Sequence, residues 1–527
     1  MATEEGIRTS RGQAGHPWTG AFAGALAGLI LAVASLLVRL ASGVPSYPEI
    51  LQDRILGAVP GAISGGIIDR LQFNSKPLVI AAIILVQIAI GALLGLALAM
   101  ARRQRLSLFA GALLGSGYWF LAEMVVLPLL GAGPAGAGVS RGGASAAWAI
   151  IPDLLFGLAL ASLFSALRAE QEDTTVSGRR QALAFIGGAI VVVAGGTAVV
   201  KLLGGGSEHG TPLSNAAETA ERPNPSVPPE QFQAAAALSP RLTPPDQFYI
   251  ISKNLSDPTV KAQGWQLEVA GMVQRPLKLS YDDIRALPSS DLTLTLECIS
   301  NPVGGTLIST GTFSGPPLLL VLEQAGISPN ARGVLFTSAD GYTEHLTLDE
   351  IRQGPTLLAH SLDGQPLPDR HGFPLRVIGP GRYGMKNPKW LTKIAATSDP
   401  AGGYWERSGW QAGTVQTMAR FDTRPTTVRA GQPVLLGGIA YAGDRGIARV
   451  EISTDGGATW QPAALEPPLD SYTWVRWSFV WTPPRPGRYT LVARAVDGTG
   501  AVQTAAQNDS FPSGATGYQR LTVRAVS

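Results

Sequence analysis

Five stretches in the first 203 residues, at about 20–41, 78–101, 106–130, 147–167 and 182–203, are long runs of apolar residues. A helix rising 1.5 Å per residue needs about 20 such residues to cross the hydrocarbon core of a bilayer. Each stretch meets that length, so the spacing predicts an α-helical membrane domain of about five spans over residues 1–203. A shorter apolar run near 55–68, bracketed by Asp53, Arg54, Asp69 and Arg70, reads as an interfacial or re-entrant piece. Charged residues are only 15% of the chain, against roughly 25% in soluble proteins, and the deficit falls before residue 203. The net charge of +3 comes with neither a basic tail nor a Lys/Arg run interleaved with aromatics, so nucleic acid is not an expected partner.

Arginines set the expected orientation. Arg8 and Arg11 precede the first span, Arg102, Arg103 and Arg105 separate the second and third, and Arg168, Arg179 and Arg180 separate the fourth and fifth. With five spans all three groups share one side, which the positive-inside rule makes cytoplasmic. The chain after residue 204 is then extracytoplasmic, attached to the cell membrane by a multi-pass anchor. Ser177-Gly-Arg-Arg-Gln-Ala-Leu-Ala-Phe185 before the last span is open to two readings, a twin-arginine export signal or an ordinary positive anchor. Glu123 and Asp153 lie inside spans, where an acid is a functional candidate, and a solvated or helix-pairing role is the competing reading. The five histidines, His16, His209, His345, His360 and His371, all lie outside the spans, which excludes a bis-histidine haem in the membrane.

Residues 204–246 form a linker that begins Gly204-Gly-Gly-Ser207 and then collects Pro223, Pro225, Pro228, Pro229, Pro240, Pro244 and Pro245. From 247 to 413 short strands and helices intersperse, as expected of an α+β domain. Trp265–Gly271 alternates like a strand, Ser280-Tyr-Asp-Asp283 and Thr347-Leu-Asp-Glu350 read as capping boxes, and Pro316-Pro317 opens an apolar helix ending near Gly326. Over 414–527 the helical signals vanish, and strands at 434–439, 448–453, 474–481 and 489–495 predict an antiparallel sandwich of immunoglobulin size.

The sequence holds one cysteine, Cys298. An internal disulfide, a Cys-rich zinc site, a self-contained iron–sulfur cluster and a Cys-x-x-Cys-His haem attachment are therefore excluded. A lone cysteine at a strand end is by default a small buried hydrophobe, but its surroundings are specific. Glu297-Cys-Ile-Ser-Asn301, His371-Gly-Phe-Pro-Leu-Arg376, Tyr383-Gly-Met-Lys-Asn-Pro-Lys-Trp-Leu391 and Phe248-Tyr-Ile-Ile-Ser-Lys-Asn254 resemble, in order and interval, motifs of the sulfite-oxidase family of molybdenum enzymes. The resemblance covers 247–400, and 414–527 resembles that family's dimerisation domain.

The resemblance implies a molybdenum–molybdopterin cofactor with Cys298 as the protein ligand to the metal. A soft thiolate suits that role. It implies pterin contacts from Asn254, Asp340, His371, Arg376, Asn387, Pro388 and Lys389, the guanidinium of Arg376 and the ammonium of Lys389 being suited to the pterin phosphate. Taken singly, these residues also have plain readings: a surface Arg376, a turn-capping His371, a turn-forming Asp340, and Lys386 and Lys389 solvated.

The chain departs from the sulfite enzymes near the metal. Lys253 stands where they place an arginine before the motif asparagine, Val303 where they place one five residues beyond the cysteine, and Trp410 where a tyrosine is expected. Losing fixed guanidinium forks weakens the case for sulfite and points to another small-molecule substrate in an oxygen-atom or two-electron transfer, with Lys253 and Trp410 beside Cys298 in the catalytic region. Electrons would pass to a separate carrier or to the quinone pool, and a homodimer through the C-terminal domain is implied. Two other classes compete with this expectation: a membrane-tethered binding or adhesion module that kept the fold, and a thiol enzyme using Cys298 with His371 as base.

Overall fold

The computed structural model describes residues 17–42, 45–58, 75–101, 106–130, 132–134, 150–172, 238–254 and 257–527. The expected span at 182–203, the paired Arg179 and Arg180, Arg8, Arg11, Arg102, Arg103 and Arg105, most of the 55–68 run and the linker up to residue 237 lie outside the described residues. The chain divides into two compact units, the N-terminal helices and a unit containing 207–527, taken in turn below.

Four helices in the first unit are long and apolar enough to cross a membrane: Pro17–Arg39, Leu78–Met100, Leu108–Leu129 and Ile150–Leu167. They coincide with the first four expected spans. Small residues let their backbones approach. A Cβ added at Gly24 would fall on the carbonyl oxygen of Gly91, one at Gly95 on that of Gly20, and one at Gly157 on that of Gly111. Such spacing drives helix association where lipid removes the hydrophobic effect between helices. Ser107 caps Leu108–Trp119 through the Ala110 amide at 3.1 Å. Ser165 ties the start of that helix to Ile150–Glu172, accepting from the Leu106 amide at 2.9 Å and donating to its carbonyl at 3.0 Å. Leu108–Trp119 then passes into a seven-residue π-helical segment, Phe120–Val126. A separate helix, Tyr47–Ala58, covers the beginning of the run read as interfacial.

The second unit opens with a five-stranded mixed sheet in the order Leu277–Ser280, Gln266–Gly271, Leu391–Thr397, Gly333–Ser338, Thr343–Thr347. Gln266–Gly271 runs parallel to Leu391–Thr397, and the other pairs are antiparallel. Leu267, Val269, Phe336 and Ile394 pack from this sheet against helix Leu318–Ala325. That helix starts after Pro317 and stops at Gly326, whose φ of 68° is the left-handed conformation glycine adopts cheaply. Both capping boxes form: Ser280 with Asp283 and Thr347 with Glu350 exchange side-chain and backbone hydrogen bonds. A second sheet pairs Ser290–Glu297 with Ile308–Gly315 and continues through Ser361–Leu362 to Gln365–Pro366. A two-stranded ribbon joins Arg376–Ile378 to Leu357–Ala359.

Beyond residue 414 two sheets share one core. One is ordered Met418–Phe421, Val434–Tyr441, Val475–Trp481, Ala464–Leu465, the other Thr427–Arg429, Gln519–Val526, Gly487–Asp497, Ile447–Ser453, Gln461–Pro462. Phe421, Leu436 and Trp477 of the first meet Ile452, Leu491 and Val523 of the second. The four strands read from the sequence match observed strands to within two residues at each end. This sandwich is welded to the preceding domain at one strand. The Tyr441 hydroxyl donates to the Thr295 carbonyl at 2.8 Å, and the Trp474 amide to Thr295 Oγ1 at 2.8 Å.

Candidate functional site

Cys298 follows directly on strand Ser290–Glu297 and is buried. Its amide donates to the Leu307 carbonyl at 2.9 Å, closing a loop over 298–307. Asn301 fastens this loop from within: its amide donates to the Cys298 carbonyl at 2.9 Å, its Nδ2 to Glu297 Oε1 at 2.8 Å, and its Oδ1 accepts from the Leu307 amide at 3.0 Å. The C-terminal sandwich fastens it from without. Arg420 Nη1 donates to the Gly305 carbonyl at 2.6 Å and Arg424 Nη2 to that of Gly304 at 2.7 Å. Arg420 is itself fixed by Asp422 at 2.9 Å and Ser239 at 2.7 Å. Cys298 Sγ lies 3.1 Å from Ser300 Oγ, a hydroxyl able to donate to a thiolate. Burial pushes the Glu297 carboxyl up to about 7 against the pull of its Asn301 hydrogen bond and of Arg420. Among the described residues its Oε2 has no hydrogen-bond partner.

The segment 369–376 supplies a neutral imidazole and a buried cation. The turn Asp369–His371 ends at Gly372, in the left-handed region at φ 111°. His371 Nε2 lies 3.0 Å from the Pro245 carbonyl, which can only accept, so Nε2 carries the proton and Nδ1 is left as an acceptor. Burial first, then the charges of Arg376, Lys389 and Arg370, lower the His371 pKa to about 3 and keep the ring neutral. Arg376 is 5% exposed. It donates to the carbonyls of His371 at 3.0 Å and Asn387 at 3.2 Å and faces the Phe313 ring at 5.5 Å. Among the described residues no carboxylate is paired with it, and its Nε has no partner. Burial depresses even this guanidinium, to about 10. A buried cation facing only carbonyls and a ring is costly unless an anion joins it. Lys389 Nζ, 3.0 Å from the Arg370 carbonyl and 4.2 Å from the Trp390 ring centre, adds a second positive charge.

A third group gathers around Asn254. Its Nδ2 donates to Asp340 Oδ2 at 2.9 Å, its Oδ1 accepts from Lys253 Nζ at 3.1 Å, and Lys253 faces the Tyr404 ring at 5.4 Å. The Tyr342 hydroxyl donates to the Met385 carbonyl at 2.8 Å, which joins this group to the 383–391 motif. Lys386 departs from its solvated reading. It is buried, donating to Glu344 at 2.8 Å and Glu406 at 2.6 Å. Burial works against its ammonium, but the two carboxylates outweigh that and hold its pKa above the usual value. Glu344, His345 and Glu406 have metal-ligand spacing, yet the Lys386 ammonium already supplies the cation between both carboxylates.

The expected residues thus fall into three groups: Cys298 in the buttressed loop, His371, Arg376 and Lys389 together, and Lys253, Asn254 and Asp340 together. Asn387 acts as a brace, its Oδ1 accepting from the Gly379 amide at 2.8 Å and its Nδ2 donating to the Tyr383 carbonyl at 3.2 Å. The Pro388 carbonyl accepts from the Val377 amide at 3.0 Å. Trp410 is buried with Ile299, Tyr383 and Trp474, edge-on to Phe511 at 5.2 Å. Among the described residues its indole nitrogen has no partner. Sequence reasoning missed Arg420, which carried no local signal and which holds the Gly305 carbonyl of the Cys298 loop.

Comparisons with known proteins bear on this arrangement. Residues 254–405 match the family model described as oxidoreductase molybdopterin binding domain, and 414–511 that of the Mo-co oxidoreductase dimerisation domain. The chain is 28% identical to the mitochondrial sulfite oxidase of Rattus norvegicus over 333 residues, covering 54% of this chain and 60% of that protein. It is 34% identical to the uncharacterized oxidoreductase YuiH of Bacillus subtilis over 146 residues, covering 28% of this chain and 72% of that protein. It therefore spans about 60% of the length of the mammalian sulfite oxidases it matches. The crystal structure of the sulfane dehydrogenase SoxCD from Paracoccus pantotrophus is alike in fold, with a TM-score of 0.50 at 21% identity over 55% of this chain and 85% of that one.

Proposed function

Because the chain belongs to the sulfite-oxidase family of molybdopterin-dependent oxidoreductases, we propose that it is a membrane-anchored enzyme catalysing a two-electron or oxygen-atom transfer on a small substrate other than sulfite. The observation that carries the cofactor assignment is the buried Arg376, whose Nε lacks a partner among the described residues, beside Lys389 and a neutral His371. An anionic, hydrogen-bond-rich group fits this arrangement.

When bound, the molybdenum–pterin group supplies the two-electron chemistry. Cys298 would hold the metal through its thiolate, on a loop that Asn301, Arg420 and Arg424 keep in place. Arg376 and Lys389 would meet the pterin phosphate. His371 Nδ1 would accept from the pterin, and Asn254 and Asp340 would bind its polar edge, while Asn387 and Pro388 hold the strand bearing Arg376. Lys253, Val303 and Trp410, in place of two arginines and a tyrosine, support a less anionic substrate than sulfite.

Residues 1–203 would form the anchor and 204–246 the tether, whose end docks on the soluble part through Ser239, Thr243 and Pro245, with 247–413 the cofactor domain and 414–527 an immunoglobulin-like dimerisation domain. The arginine distribution supports an extracytoplasmic catalytic part on the cell membrane. Electrons would leave to a separate carrier or to a quinone.

Elemental analysis of full-length protein from molybdate-fed cells tests the reading. About one molybdenum per chain is expected in the parent, with loss of metal and turnover but a retained melting transition in Cys298→Ser. Metal-free, well-folded parent protein would sink it, and turnover by Cys298→Ser would refute the ligand role.

A further inference from the structure

The membrane unit contains a polar cavity that the redox reading does not use. It has a volume of about 20 Å³, room for one water or one small cation. Five helical elements each bring one oxygen-bearing side chain to it: Ser35 from Pro17–Ser42, Tyr47 from Tyr47–Ala58, Gln87 from Ser75–Met100, Glu123 from Phe120–Val126 and Asp153 from Ile150–Glu172. Glu123, Gln87 and Asp153 are 1%, 4% and 6% exposed. This burial leaves the two acids facing the cavity and not bulk solvent.

The lining is rich in acceptors. Gln87 Oε1 is buried and, among the described residues, has no donor. The Ser35 hydroxyl gives its proton to the Leu31 carbonyl at 2.8 Å, leaving its oxygen as an acceptor. None of the ten lining residues is Lys, Arg or His. Glu123 sits in the π segment, a rare departure from α-helical geometry that is frequent at functional sites. Acidic side chains at membrane depth are costly and tend to be functional. Tyr47, close to both acids, also brings a hydroxyl donor, but carboxylate and carbonyl oxygens outnumber it, and hard oxygen atoms suit a hard cation.

The geometry points to a binding site for one small cation in this cavity, a proton taken up by the Glu123 and Asp153 carboxyls or a monovalent metal ion of sodium's size, with the Gln87 carbonyl as a further ligand. The site does not depend on the molybdenum assignment.

The test uses full-length protein in detergent and sodium-free buffer at neutral pH. Radioactive sodium binding is measured by equilibrium dialysis, and infrared spectra are scanned for the carbonyl stretch of a protonated carboxyl group. In the sodium case one ion binds per chain, and Gln87→Leu, Glu123→Gln and Asp153→Asn each weaken it by about tenfold or more. In the proton case sodium does not bind, and a component of the protonated-carboxyl signal, separate from that of Glu297, shifts in heavy water and is lost in Glu123→Gln or Asp153→Asn. Parent protein showing neither sodium binding nor that component overturns the proposal, whatever the variants do. So does a signal that all three variants leave unchanged.

Discussion

Arg420 in the C-terminal sandwich donates from Nη1 to the carbonyl of Gly305, 2.6 Å away, and thereby holds the loop that carries Cys298. The two residues are 115 positions apart in sequence. Arg420→Ala would cut this tie and strand the buried Asp422 carboxylate, which pairs with Arg420 at 2.9 Å. Breaking a buried pair from one side costs about 3–5 kcal/mol. A fall of that size in urea unfolding, together with reduced molybdenum retention, is expected. Unchanged stability and metal content would show the sandwich to be a passive neighbour of the loop.

Arg376→Met separates cofactor binding from folding. The substitution removes a buried charge without a carboxylate partner among the described residues, and it leaves two carbonyls, of His371 and Asn387, to be satisfied otherwise. Those effects oppose each other, so apo-protein stability should move by no more than about 2 kcal/mol. Cofactor content should fall by about tenfold or more, since a charge-assisted contact to phosphate is worth roughly 1.5–3 kcal/mol. Normal molybdenum and pterin content in purified Arg376→Met would rule out the phosphate assignment.

Lys386→Met should be damaging although the residue touches no expected cofactor atom. It removes the cation shared by Glu344 and Glu406 at 2.8 and 2.6 Å. Two acids would then face each other in a largely buried site, at a cost of about 3–5 kcal/mol. Thermal unfolding reads this directly, and Glu344→Gln in the same background should recover part of the loss. No recovery in the double variant would mean that the ion cluster is not the cause.

His371 predicts an acid-limb effect. Its folded pKa of about 3 lies below the ordinary value of 6.5, so between those values the unfolded chain binds a proton that the folded chain does not. Its contribution to stability is present above pH 6.5 and is lost as pH falls towards 3, at up to about 1.4 kcal/mol per pH unit. Comparing apo parent with His371→Asn across this window should show a shallower decline in the variant. Parallel curves would contradict the neutral, buried imidazole.

Local signals made much of the fold legible. The capping boxes at Ser280 and Thr347, the stop at Gly326 and four long apolar helices were readable because propensity, capping and hydropathy act over a few residues. Cys298, His371 and Arg376 were legible through motifs. Contacts between distant segments were not. Lys386 read as solvated because neither Glu344 nor Glu406 is near it in sequence, and Arg420 looked like any strand arginine. Asn387 reads as a cofactor contact, and that its side-chain atoms also brace the backbone of Gly379 and Tyr383 is visible only in the folded chain. Glu123 and Asp153 were visible as acids in expected spans, but their convergence with Gln87 on one cavity required the packed helices.

The π segment Phe120–Val126 also sets a phase along its helix. A wider turn absorbs a residue that an α-helix would have to pass on as a rotation of about 100°. Removing a single residue between Phe120 and Val126 should therefore regularise the helix and leave Leu108–Trp119 in step with Leu127, while changing the direction in which Glu123 points. The surplus residue thus leaves the flanking turns aligned and alters only how the seven-residue stretch presents Glu123.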